Sequence, residues 1–179
     1  MSVPAKETAL VVLVPEAEPL VERFRESYDP SAAEGVPAHV TIIYPFKPPQ
    51  DVSEAVLETL GKLLCGFAPF GFTLAEARRF RSGVLYLAPA DAEPFRRLTM
   101  AVWNAFPEAP PYGGQHLDVI PHLTVAQIAA ADELDAVAAA FARASRSRLP
   151  IGASAASVAL MDNASGRWQV RTTLPLGKG

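Results

Sequence analysis

Short apolar runs alternate with helical apolar stripes along the first part of the chain. Residues 9–14 form a β-branched run ended by Pro15, which predicts a buried strand. Residues 16–28 place apolar side chains at helical spacing, with acidic residues early in the segment, which predicts a helix. Turn-forming residues over 30–37 predict a loop, and residues 38–46 predict a second strand.

The same alternation continues to residue 106. Asp51 followed by Glu54 predicts a capping box at the start of the next helix. Residues 70–80 and 84–88 predict two strands joined by a tight turn, and residues 91–106 carry the apolar stripe of another helix. The order up to the strand pair is therefore strand, helix, strand, helix and strand pair.

The second part of the chain repeats much of this order. A loop rich in proline and glycine over 107–114 precedes a predicted strand. An alanine-rich helix and two further strands follow. The predicted elements are a strand over 121–128, a helix over 132–144, and strands over 151–161 and 168–174 around a turn at 163–166.

Two similar hexapeptides mark the repeat. Residues 37–42 read Pro-Ala-His-Val-Thr-Ile and residues 120–125 read Ile-Pro-His-Leu-Thr-Val, nearly half the chain apart. This repetition predicts an α+β fold built by duplication, in which each of two lobes is an antiparallel sheet with flanking helices. We expect a single domain over 1–179 with pseudo-symmetric lobes of roughly 1–88 and 89–179, and one His-x-Thr strand from each lobe facing a central cleft.

Each hexapeptide places a histidine and a threonine on one face of a strand. Side chains two residues apart on a strand point the same way, so His39 lies beside Thr41, and His122 lies beside Thr124. An imidazole titrates near pH 6.5, so one can accept a proton while the other donates one. Threonine hydroxyls can hydrogen-bond phosphoryl oxygens. The pattern predicts in-line attack of water on a phosphodiester.

Composition narrows the class of ligand. The formal net charge is −3, whereas a protein that holds long nucleic acid by its phosphates usually has a basic surplus. We therefore expect a small nucleotide or an RNA 3′ end as the partner, and no DNA duplex. The single cysteine, Cys65, excludes an intrachain disulfide and a cysteine-rich zinc site.

No pattern in the sequence indicates a membrane or an assembly. The first residues lack the basic and apolar segments of a signal peptide, and the apolar run at 9–14 is far shorter than the roughly 20 residues that span a bilayer. We expect a cytoplasmic protein without membrane partners. No feature suggests an obligate oligomer, so we expect a monomer.

The paired motifs resemble those of the two-histidine (2H) phosphoesterase superfamily, and specifically its 2′-5′ RNA ligase-like branch. The similarity extends to the strand at 9–14, to Tyr44-Pro45-Phe46, to Pro121 and to the closing strand over 168–176. The resemblance implies a bilobal fold and the hydrolysis of 2′,3′-cyclic phosphates, typically to 2′-phosphates, without a metal or other cofactor. Some relatives act on ADP-ribose cyclic phosphate, and some show weak, reversible 2′-5′ ligation.

The resemblance also implies roles for the motif residues. Carried over by motif position, His39 and His122 are the acid–base pair. Thr41 and Thr124 bind the phosphate in the same comparison. The resemblance favours His122 as the base that activates water and His39 as the acid on the leaving oxygen.

The residues after the second motif depart from the family pattern. Many RNA-processing relatives carry an arginine shortly after that motif, whereas this chain reads Val125-Ala126-Gln127. A missing positive charge weakens the binding of phosphate or RNA. This departure argues against ligase-type activity.

Several other side chains are candidates for binding the substrate. Aromatic rings can stack on a base or ribose, and an arginine can steer an anion. The aromatic candidates are Tyr44, Phe46, Tyr86 and Trp168, and the basic candidate is Arg167. Each aromatic residue can instead belong to the core, and Arg167 can be a solvated surface residue.

Other interpretations of the motifs stay open. His39 and His122 can be core histidines bonded to the backbone, and the threonines can be simple strand formers. A metal site can form from His116 and Asp118 near His122, although zinc usually needs three or four protein ligands. The leading functional alternative is a non-catalytic module of the same fold that binds a nucleotide or an RNA end. A metal-dependent hydrolase is a more distant one.

Overall fold

A computed structural model describes residues 6–115 and 118–177 of the chain. Within them, short strands and amphipathic helices alternate much as the apolar pattern predicts. The strands are β1 (Thr8–Leu13), β2 (His39–Ile43), β3 (Phe70–Phe80), β4 (Val84–Pro89), β5 (Leu123–Gln127), β6 (Ile151–Ala155), β7 (Ser157–Asp162) and β8 (Gln169–Pro175). The helices are α1 (Glu18–Tyr28), α2 (Pro30–Ala33), α3 (Glu54–Cys65), α4 (Glu93–Ala105) and α5 (Ala131–Ser145), with 3₁₀ turns at Pro15–Ala17, Pro49–Asp51 and Pro111–Gly114.

The strands form two antiparallel sheets. The first sheet has the order β2-β1-β7-β8, and the second has the order β5-β4-β3-β6. Each His-x-Thr strand lies at an edge of its sheet, β2 in the first and β5 in the second. Two antiparallel sheets with flanking helices confirm the predicted two-lobe α+β fold.

The two lobes do not follow the predicted division of the chain between residues 88 and 89. The second sheet takes all its strands from one continuous segment, 70–155, and the first sheet is assembled from the segments on either side of it. The reason lies in strand pairing across that boundary, because β3 pairs with β6 and β4 pairs with β5, while β7 pairs with β1. The second lobe is therefore inserted within the first.

The segment predicted as one strand over 151–161 is two strands that belong to different sheets. β6 pairs with β3, with Ala155 opposite Phe70, whereas β7 pairs with β1. The chain passes from one sheet to the other at Ala156. Small and apolar residues continue through this point, so the periodicity does not mark the change of sheet.

The long helix that precedes each motif strand packs against the other motif strand. Helix α1 contacts β5, and helix α4 contacts β2. On α4, the Thr99 hydroxyl donates a hydrogen bond to the Ile42 carbonyl oxygen at 3.0 Å. On α1, the Phe24 ring meets Phe141 of α5 edge to face, with centroids 5.1 Å apart. This crossed packing holds β2 and β5 in contact with each other.

One apolar core joins both sheets and the helices. It includes Leu10 and Val40 from the first sheet, Leu87 and Leu123 from the second, and Phe95 from α4. Each of these side chains is almost completely buried. In the described part of the chain, no helix is both long enough and apolar enough to cross a membrane.

Helix α3 begins later than the predicted capping box. Its N-cap is Ser53, whose hydroxyl oxygen accepts a hydrogen bond from the Val56 backbone N–H at 3.3 Å. Asp51 lies in the preceding 3₁₀ turn instead. Aspartate and serine are both good N-caps, so the sequence offers two starts, and the structure uses the second.

Candidate active site

A cleft of about 330 Å³ opens where β2 and β5 meet. Its floor on the side of the first sheet is apolar and includes Val11, Val36 and Met161. Among the polar and aromatic residues that line it are His39, Thr41, Tyr44, Tyr112, His122, Thr124 and Trp168. The volume is at the lower end of the range for small-molecule sites, so the cleft suits a ligand of about one nucleotide.

Alternation along the motif strands aims the polar side chains into the cleft. On β2, His39 and Thr41 are half-buried while Val40 between them is completely buried. On β5, Leu123 is completely buried and Thr124 is half-buried. The sequence folds this way because the apolar residues of each hexapeptide belong to the core and the residues between them do not.

Both histidines are held in the same way. Nδ1 of His39 lies 2.7 Å from the carbonyl oxygen of Pro37, and Nδ1 of His122 lies 2.7 Å from the carbonyl oxygen of Ile120. A carbonyl oxygen can only accept, so each Nδ1 carries a hydrogen and donates it. Nε2 is therefore the nitrogen that each imidazole offers to a ligand, and it is unprotonated in the neutral ring.

Burial makes both imidazoles resist protonation. It lowers the pKa of His39 from 6.5 to about 4. The hydrogen bond to Pro37 opposes this shift, and the charges of Arg25 and, less strongly, His122 reinforce it. Burial also lowers the pKa of His122, and the hydrogen bond to Ile120 again opposes the change. The repulsion between the two charged rings means that the pair holds one proton more readily than two.

Aromatic rings surround His122. Phe80 from β3 and Tyr86 from β4 meet its imidazole edge to face, with centroids 5.0 Å and 5.4 Å away. Phe80 and Tyr86 are themselves stacked, with centroids 4.1 Å apart. Tyr112 lies nearly parallel to the imidazole at 6.4 Å. These rings cover much of the His122 imidazole, which stays half-buried at the cleft.

A buried ion pair shapes the loop that leads into β2. The Arg25 guanidinium lies 2.9 Å from the Asp29 carboxylate, and each side chain is only 3% exposed. Arg25 also donates a hydrogen bond to the Val36 carbonyl oxygen at 3.0 Å. Asp29 accepts hydrogen bonds from both the backbone N–H and the hydroxyl of Ser31. These contacts hold both ends of the loop that precedes His39.

Two of the predicted substrate-binding aromatics line the cleft, and a third does not. Tyr44 and Trp168 line it with their rings edge to face, 6.0 Å apart. Phe46 is wrong as a stacking residue, because its side chain is buried and packs edge-on against Phe106 at 5.2 Å. Strand β2 ends at Ile43, so its alternation does not extend to residue 46.

The other two predicted binding residues lie outside the described lining of the cleft. Tyr86 is buried, and its ring supports the imidazole of His122 from the side of β4. The Arg167 side chain lies beside Gly35, where a Cβ atom would be 3.6 Å from its guanidinium nitrogens. Arg167 is thus placed near the rim, beyond the motif residues.

Sequence patterns do not identify Tyr112, Glu34 or Gln127 as residues of the cleft. Tyr112 lies in the loop rich in proline and glycine, Glu34 lies in the loop before β2, and Gln127 ends β5. One signal is available in Pro110-Pro111-Tyr112-Gly113-Gly114. Prolines and glycines fix tight turns, so a tyrosine between them is held in a definite place.

The alternative metal site is only partly within the described structure. His116 lies outside the described residues, and Asp118 borders a separate cavity with Arg96 and Ile120. Across residues 6–115 and 118–177, no group of three or more His, Cys, Asp or Glu side chains is placed to hold a metal ion.

The sequence matches the family model of the 2′-5′ RNA ligase superfamily over residues 13–167. A search of curated proteins found no match. Among solved structures, the fold is similar to that of E. coli LigT complexed with 3′-AMP, with a TM-score of 0.62 and 16% identity over 97% of this chain and 99% of that chain. It is also similar to TT0787 of Thermus thermophilus, with a TM-score of 0.61 and 17% identity over 97% and 100% of the two chains.

The family match includes both motif strands and most of the chain between and around them. The structural similarity extends over both lobes, as its coverage of each chain shows. The sequence pattern, the two-lobe fold and the cleft between the His-x-Thr strands thus agree with the match. The chain belongs to the 2′-5′ RNA ligase superfamily of 2H phosphoesterases.

Proposed function

We propose that this protein is a metal-independent phosphodiesterase that opens 2′,3′-cyclic phosphates of nucleotides or RNA ends to 2′-phosphates. One observation carries the proposal. His39 and His122 line one cleft, and each has Nδ1 engaged by a backbone carbonyl so that Nε2 is left for the ligand. A pair of imidazoles arranged in this way suits proton transfer on both sides of a phosphorus atom.

The threonines supply the second part of the site. Thr41 lies two residues after His39 on the same strand face, and Thr124 stands in the same relation to His122. Their hydroxyls can donate hydrogen bonds to the two non-bridging oxygens of a cyclic phosphate. Such donors stabilise the charge that builds on those oxygens as water attacks.

The reaction consumes one water and breaks one bond. The water oxygen bonds to phosphorus as the bond from phosphorus to O3′ breaks. Nε2 of the basic histidine takes a proton from the water, and Nε2–H of the acidic histidine gives a proton to O3′. The product has a 2′-phosphate and a free 3′-hydroxyl, and a proton moves from one imidazole to the other through solvent before the next turnover.

The pKa values support an assignment of these two roles. Burial lowers the pKa of His39 to about 4, and the positive charge of His122 adds to this shift, so His122 keeps its proton while His39 titrates. The single proton of the pair therefore resides mainly on His122. This favours His39 as the base and His122 as the acid, the reverse of the order that motif position suggests.

The size and lining of the cleft support a nucleotide as the ligand. A volume of about 330 Å³ with an apolar floor and the Tyr44 and Trp168 rings suits one nucleoside and its phosphate. E. coli LigT, which shares the fold, has been solved with 3′-AMP. We extend small-nucleotide binding to this chain on these grounds.

The deciding experiment measures hydrolysis of the four nucleoside 2′,3′-cyclic monophosphates with a chelator present. We expect turnover to a 2′-phosphate that His39→Ala and His122→Ala each reduce by roughly 10²–10⁴-fold, because each removes one proton-transfer group. Thermal melting of each variant controls for loss of fold. Loss of activity in the chelator would instead point to a metal-dependent hydrolase.

The alternative is a binding module of the same fold. It predicts that nucleotides bind, as calorimetry can measure, while none of the four cyclic phosphates is turned over. In that case His39→Ala and His122→Ala would change only the dissociation constant. The two hypotheses therefore differ in product formation, not in binding.

A further inference from the structure

Tyr112 contacts both motifs, although it belongs to neither. Its backbone N–H donates a hydrogen bond to the Tyr44 carbonyl oxygen at 2.8 Å, just past the end of β2. Its side chain shares a hydrogen bond with Thr41. Its ring lies nearly parallel to the imidazole of His122, with an interplanar angle of 19°. One side chain thus bridges the first motif and the second.

The backbone at Tyr112 is held in an unusual conformation. Its φ is 51° and its ψ is 34°, in the left-handed region that residues with a Cβ atom rarely occupy. Tyr112 is the only described non-glycine residue with a positive φ. Its neighbours reinforce the turn, since the Gly113 N–H bonds the Pro110 carbonyl oxygen at 3.1 Å. Such strain persists only where the surrounding contacts fix the residue, and it is common at functional sites.

Tyr112 completes the shielding of His122. The groups that face or act on this imidazole are the aromatic rings of Phe80, Tyr86 and Tyr112, together with the Ile120 carbonyl oxygen. Phe80 and Tyr86 come from the body of the second sheet, so they stay in place in a variant of the loop. Tyr112 is the aromatic side chain of this set that comes from a loop.

We infer that Tyr112 is a positioning residue that couples the two motifs. Its hydroxyl donates to the Thr41 oxygen, which leaves the Thr41 hydrogen directed at the phosphate, and its ring shields His122 from water. The hydroxyl acts on substrate binding, because Thr41 is one of the two phosphate donors. The ring acts on proton transfer, because it sets the solvation of His122. The kinetic part of this inference rests on the proposed function, and its structural part does not.

Two substitutions separate the hydroxyl from the ring. Tyr112→Phe removes the hydrogen bond with Thr41 and keeps the ring over His122. Tyr112→Ala removes both. Phenylalanine and alanine each carry a Cβ atom, so both variants retain the same backbone strain, and their difference reports the ring alone. Melting curves of both variants show whether each one is folded.

The first measurement is an NMR titration of the histidine Cε1 protons without any ligand. In Tyr112→Ala we expect the pKa of His122 to rise towards 6.5, because water reaches the ring, and we expect the pKa of His39 to change less. In Tyr112→Phe we expect the pKa of His122 to stay lowered. An unchanged pKa of His122 in a folded Tyr112→Ala variant would overturn the shielding role. This result does not depend on any enzymatic activity.

The second measurement is steady-state hydrolysis of a nucleoside 2′,3′-cyclic monophosphate. We expect Tyr112→Phe to raise KM about three- to tenfold with little change in kcat, the loss of one hydrogen bond. We expect Tyr112→Ala to lower kcat as well and to shift the alkaline limb of the pH profile upwards. Wild-type KM in Tyr112→Phe would refute the orienting role. Absence of turnover in the wild type would refute the proposed function and leave the titration to decide the shielding role of Tyr112.

Discussion

Glu34 and Trp168 are joined across the rim of the cleft. The indole Nε1–H of Trp168 donates a hydrogen bond to Oε2 of Glu34 at 3.2 Å, and the Trp168 backbone N–H donates to the Glu34 carbonyl oxygen at 2.9 Å. Glu34 also lines the cleft, beside Tyr44, whose hydroxyl donates to Glu7 at 2.7 Å. The two rings that can meet a nucleobase are therefore both fixed by carboxylates.

This arrangement leaves the cleft with negative charge. The described lining residues include no lysine or arginine. Asp29 is neutralised by its ion pair with Arg25, whereas Glu34 bonds an uncharged indole. A cyclic phosphate carries one negative charge, and the threonines and histidines can hold it. Ligands with further phosphates meet the negative charge of Glu34 in the lining of the cleft.

We predict that Glu34→Gln improves the use of more highly charged substrates. Glutamine keeps an oxygen that can accept from Trp168 and removes the charge. A nucleoside 2′,3′-cyclic phosphate with an additional 5′-phosphate is expected to gain about fivefold in kcat/KM relative to its unphosphorylated form, since charges some 8 Å apart in water interact by about 0.5 kcal/mol each. Glu54→Gln, at the exposed start of α3, is the control. An unchanged ratio of the two substrates contradicts the prediction.

We predict that Thr41→Val and Thr124→Val each lower kcat/KM about 10²-fold without unfolding the protein. Valine retains the shape and strand propensity of threonine and removes the donor that stabilises charge on the phosphoryl oxygens. Steady-state kinetics with a cyclic monophosphate measures the loss. Thr73→Val on β3, outside the described lining of the cleft, is the matched control. Equal kinetics in all three variants would show that the motif threonines only form strands.

We predict a pH optimum of kcat/KM on the acidic side of neutrality. Catalysis requires one protonated and one neutral imidazole. The pKa of His39 is about 4, and that of His122 is lowered from 6.5, so this state is most populated in the acidic range above the pKa of His39. Above this range both rings are neutral and the acid is lost, and below it both are protonated and the base is lost. A rate that keeps rising above pH 8 would exclude this scheme.

We predict that Arg25→Met destabilises the protein by about 3 kcal/mol. The substitution leaves the Asp29 carboxylate buried without a counter-charge, which costs far more than the pair itself contributes. Urea unfolding measures the change. Lys62→Met is the control, because its ion pair with Glu58 is well exposed and its loss costs under about 1 kcal/mol. Similar effects of the two substitutions would mean that Asp29 is not isolated from water.

The motif strands could be predicted because their pattern is local. Apolar residues on either side of each histidine determine the strand, its buried face and the direction of His39 and His122. The exchange of strands between the two repeats could not be predicted in this way. The apolar pattern of a strand such as β3 or β7 is the same in either sheet, so it does not indicate which sheet the strand joins. Tyr112 escaped prediction for a related reason, since a turn conformation and a distant strand together bring it to the cleft.

The position of β1 between β2 and β7 has a consequence for synthesis. The segment that forms the second sheet is continuous, so its strands can pair as they emerge from the ribosome. In the first sheet, Ala9 of β1 can pair with Met161 of β7 only after the whole second sheet has been translated. Pairings between such distant residues form slowly, because the intervening chain must first be brought together. The sheet whose edge strand carries His39 is therefore complete only after β7 and β8 have been translated.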